Sequence, residues 1–403
     1  MTKESEDWIS LYLKYTAESE SPEKMHMWVG FALLAAALRR RVFLDRGTYK
    51  LYPNLYIVFV AESAKVRKSV CMETGIRLFE ETAIDCPVFI GRSTPEGLIK
   101  NLNRVVKEEN PADPLHPILK QESHVFIYAD ELATFFGYDK QAASRMTILL
   151  TQTYSAPAVY RHTTKGDGSL FVHNNYPVLL AGTDPRNLKV LPEDAIGGLI
   201  GRTIFVTAAK RRRAIAWPEL ASIEIKNKLM AHLFRVSHLA GEFKITNEAR
   251  SFWANWYEKF SEISSDDPRL DAFHERAHDT ALKIAMLLSV AENLDMIIDL
   301  KHVVGGIDII EKQLPEFSRI AAWSLVSQYA QNRAKTIDII RRFGGICDRR
   351  TIMKSLSLNS EEMSLIENSL GEEGTIIILA AGQNKRMYRL SPDEMAKYKD
   401  DIK

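Results

Sequence analysis

The stretch Leu55-Tyr56-Ile57-Val58-Phe59-Val60-Ala61-Glu62-Ser63-Ala64-Lys65-Val66-Arg67-Lys68-Ser69 decides the fold. Its first residues, Leu55 to Val60, are continuously apolar and rich in β-formers, as in a strand buried on both faces of a parallel sheet. A loop then leads into a helical stretch that starts near Val70. A phosphate loop needs this context, in which backbone amides curl around anionic oxygens, a lysine reaches the terminal phosphates and a Ser or Thr hydroxyl meets Mg²⁺. Lys68 and Ser69 supply the last two groups. The standard GxxxxGK[ST] pattern would put glycines at 62 and 67, where Glu62 and Arg67 stand. Taken alone, these residues also fit an ordinary Lys-Ser at a helix start, and Glu62 adds negative charge near the phosphates.

Working outward, similar apolar runs recur at Pro87 to Ile90, His124 to Ala129, Pro177 to Ala181 and Thr203 to Val206, with helical stretches between several of them. That alternation predicts an α/β core. The run His124 to Ala129 ends in Asp130-Glu131, an acidic pair delivered to the strand edge where ligands bind in such sheets. In an ATPase, Asp130 would hold Mg²⁺ through water and Glu131 would polarise the attacking water. The alternative is a solvated helix N-terminus that carries two acids.

The flanks read differently. Residues 1–46 form an N-terminal helical segment, with helical spacing around Trp8, Leu11, Tyr12 and Tyr15 and a second apolar helix from Pro22 to the arginines Arg39 to Arg41. The core spans 47–216, and 217–328 is a helical lid in which no strand is expected. Residues 329–403 suggest a winged helix: a helix to Phe343, a short helix near Ile352, a helix from Ser360 to Leu370 capped by Asn359 with Glu362, then strands Thr375 to Ala380 and Met387 to Leu390 around a polar tip.

With 403 residues, two to four units are expected, and the 46% apolar and 26% charged composition is that of a globular protein. A net charge of +1 excludes a strongly basic nucleic-acid protein but leaves local runs such as Arg39 to Arg41 and Lys210 to Arg213 as either solvated faces or DNA contacts. Cys71, Cys86 and Cys347 lie far apart without CxxC spacing, which argues against a disulfide framework or cysteine zinc site and fits a reducing cytosol. The longest apolar run, Met27 to Leu38, is shorter than the roughly 20 residues of a bilayer span, so no membrane partner is expected.

On these residues the chain resembles, over most of its length, the MCM-like AAA+ replicative helicases and helicase-primase proteins of phages, plasmids and genomic islands. Leu51-Tyr52-Pro53-Asn54-Leu55-Tyr56 and Arg67-Lys68-Ser69 look like that family's relaxed phosphate loop, in which Arg commonly replaces the second glycine; Glu62 departs from it. The resemblance implies an α/β P-loop NTPase (AAA+) core with an N-terminal helical segment, a helical lid and a C-terminal winged helix. It implies ATP and Mg²⁺ as cofactors, bound by Arg67, Lys68, Ser69 and Asp130, with Glu131 catalytic.

In Ala181-Gly182-Thr183-Asp184-Pro185 it makes Thr183 the sensor-1 residue, with Asp184 second. Arg161 to Val172, around Lys165-Gly166-Asp167-Gly168, looks like the hairpin that reaches into a helicase channel, where Lys165 and Arg161 would meet DNA. Arg202, before the strand Thr203 to Val206, becomes an arginine finger on a neighbour's γ-phosphate, and Arg276 the sensor-2 residue. Lys385 and Arg386 are candidate DNA contacts on the wing, beside a helix that is acidic at Glu361, Glu362 and Glu367. The implied function is a ring-forming helicase or translocase of a mobile genetic element, hexameric, acting on single-stranded or forked DNA. Its primase or polymerase would be a separate chain, and its location the cytoplasm of a bacterium or phage-infected host.

Other classes compete. A degenerate loop could belong to a non-hydrolysing DNA-binding or helicase-loader subunit. His274-Glu275-Arg276-Ala277-His278 matches the HExxH of zinc proteases, although no recognisable third ligand follows. A winged helix alone would suit a sequence-specific transcription factor, which would leave the ATPase core idle.

Overall fold

Asp7 starts the first helix, where its carboxylate accepts from the Ser10 amide at 3.0 Å, one of the donors that a helix start leaves unpaired. This helix, α1 (Trp8–Tyr15), buries Trp8, Ile9 and Tyr12. α2 (Glu23–Leu38) is buried nearly throughout from Met25 onward, as an inner helix with almost no polar face must be. A tight turn over Arg39–Arg41 leads to β1 (Val42–Asp45) and β2 (Lys50–Leu51). In this computed structural model the described residues are 6–102, 104–108, 118–137, 140–164, 168–190, 198–219, 222–262, 268–324, 328–380 and 386–395. The chain divides into two units, Met1–Ala321 and Ala322–Lys403.

The first unit continues with β3 (Tyr56–Val60), α3 (Lys68–Glu81), β4 (Val88–Ile90), α4 (Pro95–Leu102), β5 (Arg104–Glu108) and β6 (Ile118–Ala129). Then follow α5 (Leu132–Phe136), α6 (Lys140–Thr153), β7 (Val159–Thr164), β8 (Gly168–His173), β9 (Asn175–Thr183) and β10 (Thr203–Thr207). Its main sheet has the order β10-β3-β9-β6-β4 with every neighbouring pair parallel, and β5 adds to β6 antiparallel. Each apolar run read from the sequence supplies a strand of this sheet, so the chain builds a mixed α/β core with a parallel sheet. β3 lies between β9 and β10 and is buried at every residue, hence its unbroken apolar run. β6 begins earlier than the sequence suggests, because its polar first half, including Lys120 and Gln121, pairs with β5. α2 crosses the sheet, where Tyr176 Oη donates to the Ala35 carbonyl at 2.9 Å. α3 approaches α2 so closely at Gly75 that a Cβ there would fall 2.2 Å from Val29 Cγ1.

The remainder of this unit comprises α7 (Ile223–Val236), β11 (Gly241–Ile245), α8 (Asn247–Ser261), α9 (Pro268–Glu292), β12 (Ile297–Ile298) and α10 (Leu300–Ser324). A lid free of strands is not what forms: β11 and β12 lie within it and build a second sheet, β12-β11-β1-β2. β1, in turn, lies in the segment expected to be helical and pairs parallel with β11, Leu44 opposite Phe243. β11 buries only Phe243 and β12 is two residues long, so neither leaves an alternating pattern in the sequence.

The second unit contains α11 (Gln328–Arg342), β13 (Ile346–Asp348), α12 (Arg349–Leu356), α13 (Ser360–Glu372), β14 (Ile376–Ala380) and β15 (Arg386–Leu390). Its strands form an antiparallel sheet in the order β13-β15-β14, and β13 adds a strand that three residues could not announce. Asn359 and Glu362 form the reciprocal capping box expected at the start of α13. Glu367 does not add negative charge to the surface of that helix. It is buried and accepts from Tyr388 Oη, from Arg349 Nε and, at 2.6 Å, from Arg386 Nη1.

Burial alone would raise the Glu367 pKa; the Tyr388 hydroxyl and the two guanidiniums outweigh it and hold the carboxyl below its ordinary value. A depressed folded-state pKa contributes stability that is present above the unfolded value, near about 4.3, and lost as pH falls through the folded value. Glu367→Ala takes this acceptor from a buried tyrosine hydroxyl and two arginines, and is expected to cost about 3 kcal/mol at neutral pH. In urea unfolding followed by far-UV circular dichroism, the difference between wild type and variant should shrink in acid; a constant difference would contradict this role.

Candidate functional site

The parallel sheet delivers β3, β9 and β6 to one edge, with Val60 opposite Thr183 and Ala181 opposite Ala129. The loop after β3, Thr183 at the end of β9, and Asp130-Glu131 after β6 are therefore neighbours. Thr183 is buried, and its hydroxyl donates to Glu131 Oε1 at 2.8 Å. Between them Gly182 forms a floor. A Cβ built there would lie 2.6 Å from the Asp130 carbonyl oxygen and 3.1 Å from Lys68 Cε, so only glycine lets the lysine stem and the acidic segment close on each other. Lys68 is buried, and its ammonium donates to the Ala61 carbonyl at 3.2 Å. Ser69 follows in the first turn of α3.

The loop itself explains the missing glycines. Positive φ occurs at Ala64 (62°) and Arg67 (54°) but not at Glu62, so nothing in the backbone demands glycine at 62. The Glu62 side chain is exposed and pairs with Lys65 at 2.6 Å, which gives its charge a partner within the loop. Arg67 is the residue that takes the left-handed conformation, at a cost of roughly 1 kcal/mol. It is held there from outside: its guanidinium Nε donates to Glu20 at 3.0 Å, and its carbonyl accepts from the Ser21 hydroxyl at 3.0 Å.

Asp184 acts on the same loop, accepting from the Ser63 amide at 3.2 Å and from Arg186 Nε at 2.8 Å. The Arg186 side chain, helped by the Arg186 and Ser63 amides, holds its carboxyl far below the usual range against the effect of burial. Asp184 thus tethers the loop, while Thr183 faces Glu131.

Beside Arg67 opens a cavity of about 330 Å³, walled by Tyr15, Glu20, Val70, Thr74 and Ile215 among others. One wall is an extended strap after β10 whose arginines are engaged: Arg211 with Glu20 at 2.8 Å, Arg212 with Glu23 at 3.0 Å and Arg213 with Glu18 at 2.7 Å. The run Lys210 to Arg213 is therefore largely a clamp onto the turn between α1 and α2.

Arg202 and Arg276 lie at the other edge of the sheet. Thr203 pairs with Tyr56 and Thr207 with Val60, so Arg202 precedes β10 about 15 Å along the strands from the Lys68 end. It is partly buried, and Nη1 donates to the Gly198 carbonyl at 2.7 Å. Burial, then the charge of the nearby Arg276, lowers its pKa. Arg276 stands on α9, as does the buried Lys283, whose ammonium donates to Asn54 O at 2.9 Å and Asn54 Oδ1 at 3.1 Å and lies 3.9 Å from the Tyr154 ring centroid. Burial pushes the Lys283 ammonium down to about 7. Sequence reading missed Lys283, Gly182 and Glu20; each matters through contacts with residues distant in the chain.

β7 and β8 form an antiparallel hairpin, Thr164 opposite Gly168, with the Arg161 guanidinium 5.7 Å from the Phe171 ring centroid. Lys165 and Lys385 lie outside the described residues. Arg386 is exposed on β15 and bonded to Glu367. Of the two imidazoles of the HExxH segment, His274 stacks on Phe260 at 4.0 Å and His278 meets Tyr257 edge-on. Among the described residues no group of three or more His, Cys, Asp or Glu side chains is placed to hold a metal, so the zinc reading has no third ligand there. Also among them, no helix is long and apolar enough to cross a membrane. No protein-family model matches this chain, and no curated protein matches it.

Proposed function

We propose that the chain is an ATP-dependent DNA helicase or translocase acting as a ring, in which each nucleotide lies between the Lys68 edge of one subunit and the Arg202 edge of the next. One observation carries this reading: the groups suited to binding and cleaving a nucleotide gather at one end of the parallel strands, and a pair of arginines stands at the other end. A cation about 15 Å away along the strands cannot serve its own subunit's phosphates, but a head-to-tail ring brings it to the neighbour's.

The donor set fits ATP. The curled loop offers backbone amides to the phosphates, and Lys68 exchanges the Ala61 carbonyl for a phosphate oxygen. Ser69 and Asp130 are the groups that would hold Mg²⁺, which when bound supplies charge neutralisation at the phosphates. Glu131, held by the Thr183 hydroxyl, orients the attacking water and takes its proton. Base and ribose extend from the loop into the cavity beside Arg67, between Tyr15, Val70 and Ile215. Arg202 and Arg276 of the adjacent subunit place positive charge on the γ-phosphate.

DNA would meet the β7–β8 hairpin, including Arg161 and Lys165. The three helices and antiparallel strands of the second unit support a winged-helix reading, with Lys385 and Arg386 as candidate contacts. A primase or polymerase would be a separate chain, and the cytoplasm of a bacterial or phage-infected cell the compartment.

The departure that motivated a non-hydrolysing loader has a local account, since Glu62 needs no glycine φ and is paired with Lys65. Glu62→Gly is therefore expected to change ATP turnover by less than about twofold. Phosphate release with and without single-stranded DNA is the test of the whole reading. Stimulated hydrolysis that vanishes in Lys68→Ala supports it, and no hydrolysis above the Lys68→Ala control overturns it.

A further inference from the structure

A second cavity, of about 400 Å³, opens where β1 and β11 end, and none of the site residues assigned above lines it. β12, β11 and β1 run parallel, and the C-terminal edge of parallel strands is a natural crevice for ligands. Arg46, just after β1, lays its guanidinium over the Trp253 ring at 5.7 Å from the centroid. Arg250 projects from the first turn of α8, and Leu44 and Ile245 supply apolar wall. Asp45 is the one carboxylate of the lining; its Oδ1 accepts from the Gly47 amide at 2.7 Å.

Arginine does not lose its proton in proteins, so the lining carries a net positive charge over Asp45. The Arg46 guanidinium also meets the Tyr49 hydroxyl, which donates to Asp279 of α9 at 2.7 Å, outside the lining. A guanidinium beside an indole makes a cationic, aromatic wall against which a nucleobase can pack. The second guanidinium offers a fork to a phosphate, and Asp45 Oδ2 can accept from an exocyclic amine. The volume lies in the range of cavities that enclose a ligand of nucleotide size.

We propose that this cavity binds one nucleotide unit, base and phosphate together, favouring a base with an exocyclic amine. That the unit belongs to a DNA strand rests on the translocase reading; the chemistry of the cavity does not.

Labelled oligodeoxycytidylate and oligothymidylate of about 20 nucleotides and free deoxycytidine monophosphate are titrated against the full chain and four variants. Arg250→Gln removes an exposed side chain and leaves the Arg46–Trp253 contact in place, so its effect is not one of folding. It is expected to weaken oligonucleotide binding about fivefold and to reduce the salt slope by about 0.7. Arg46→Gln/Arg250→Gln should lose more, whereas Lys228→Gln/Lys312→Gln, with equal loss of charge elsewhere, should stay within about twofold. Asp45→Asn should erase a preference for cytidylate over thymidylate.

Loss for the oligonucleotide assigns the strand as source, and loss for the mononucleotide alone assigns a free nucleotide. If the arginine variants match the lysine control for both probes, the inference is overturned. ATP hydrolysis with normal binding by the arginine variants would sink only this inference. Arginine-dependent binding in a chain that hydrolyses nothing would sink only the function proposed above.

Discussion

Arg202→Ala is expected to slow ATP turnover by about 10³-fold while leaving nucleotide affinity within about twofold. The reason is positional. Arg202 precedes β10 at the end of the sheet that Tyr56 begins, whereas Lys68, Thr183 and Glu131 gather where β3 and β9 finish. Its contribution would reach only a neighbour's γ-phosphate, and only as charge develops there, so binding survives and chemistry suffers. Arg202→Lys should recover little, because an ammonium keeps the charge but not the fork. Equimolar mixing of Arg202→Ala with Lys68→Ala protein separates the two geometries. In a randomly mixed ring about a quarter of the interfaces join an intact Lys68 to an intact Arg202, and turnover should rise accordingly. Mixing that restores nothing would place Arg202 outside a shared site.

Glu131→Gln should cost about 10²- to 10³-fold in turnover with ATP binding retained, the size of effect expected when a positioned base is removed. Thr183→Val should act through the same group, because its hydroxyl donates to Glu131 Oε1 and to no other side chain recorded for it. Once Glu131 is amidated, that hydroxyl has little left to orient. The double variant should therefore be hardly slower than Glu131→Gln alone, in single-turnover measurements that separate chemistry from product release. Additive losses would mean that Thr183 works on the phosphate independently of Glu131.

Much of the core was legible because its strands are buried on both faces. Leu55 to Val60 could hardly read as anything else, and the acidic pair at 130 and 131 stood at the end of such a run. Illegible were the places where a short segment draws its meaning from a distant one. β11, with one buried side chain, shows itself as a strand only beside β1. Gly182 carried no role in the sequence reading, and its necessity appears only when the Asp130 carbonyl and the Lys68 stem converge on it. The apparent defect at Arg67 likewise dissolves once Glu20 and Ser21 are seen to hold it. Glu367 looked like surface charge because a helix position alone does not tell which face meets Tyr388.

The strand that residues 42 to 45 contribute beside β11 makes a boundary near residue 46 a poor place to cut. A fragment beginning at 47 would strip β11 of one of its two parallel neighbours and expose a row of unpaired amides and carbonyls along that side. It would also remove the Glu20 and Ser21 contacts that keep Arg67 left-handed. The parallel-sheet core is therefore not a cassette that can be transplanted between proteins at its apparent seams. Recombination that exchanges the N-terminal helices would have to carry a matching lid with them, which binds the two ends of the first unit into one inherited block.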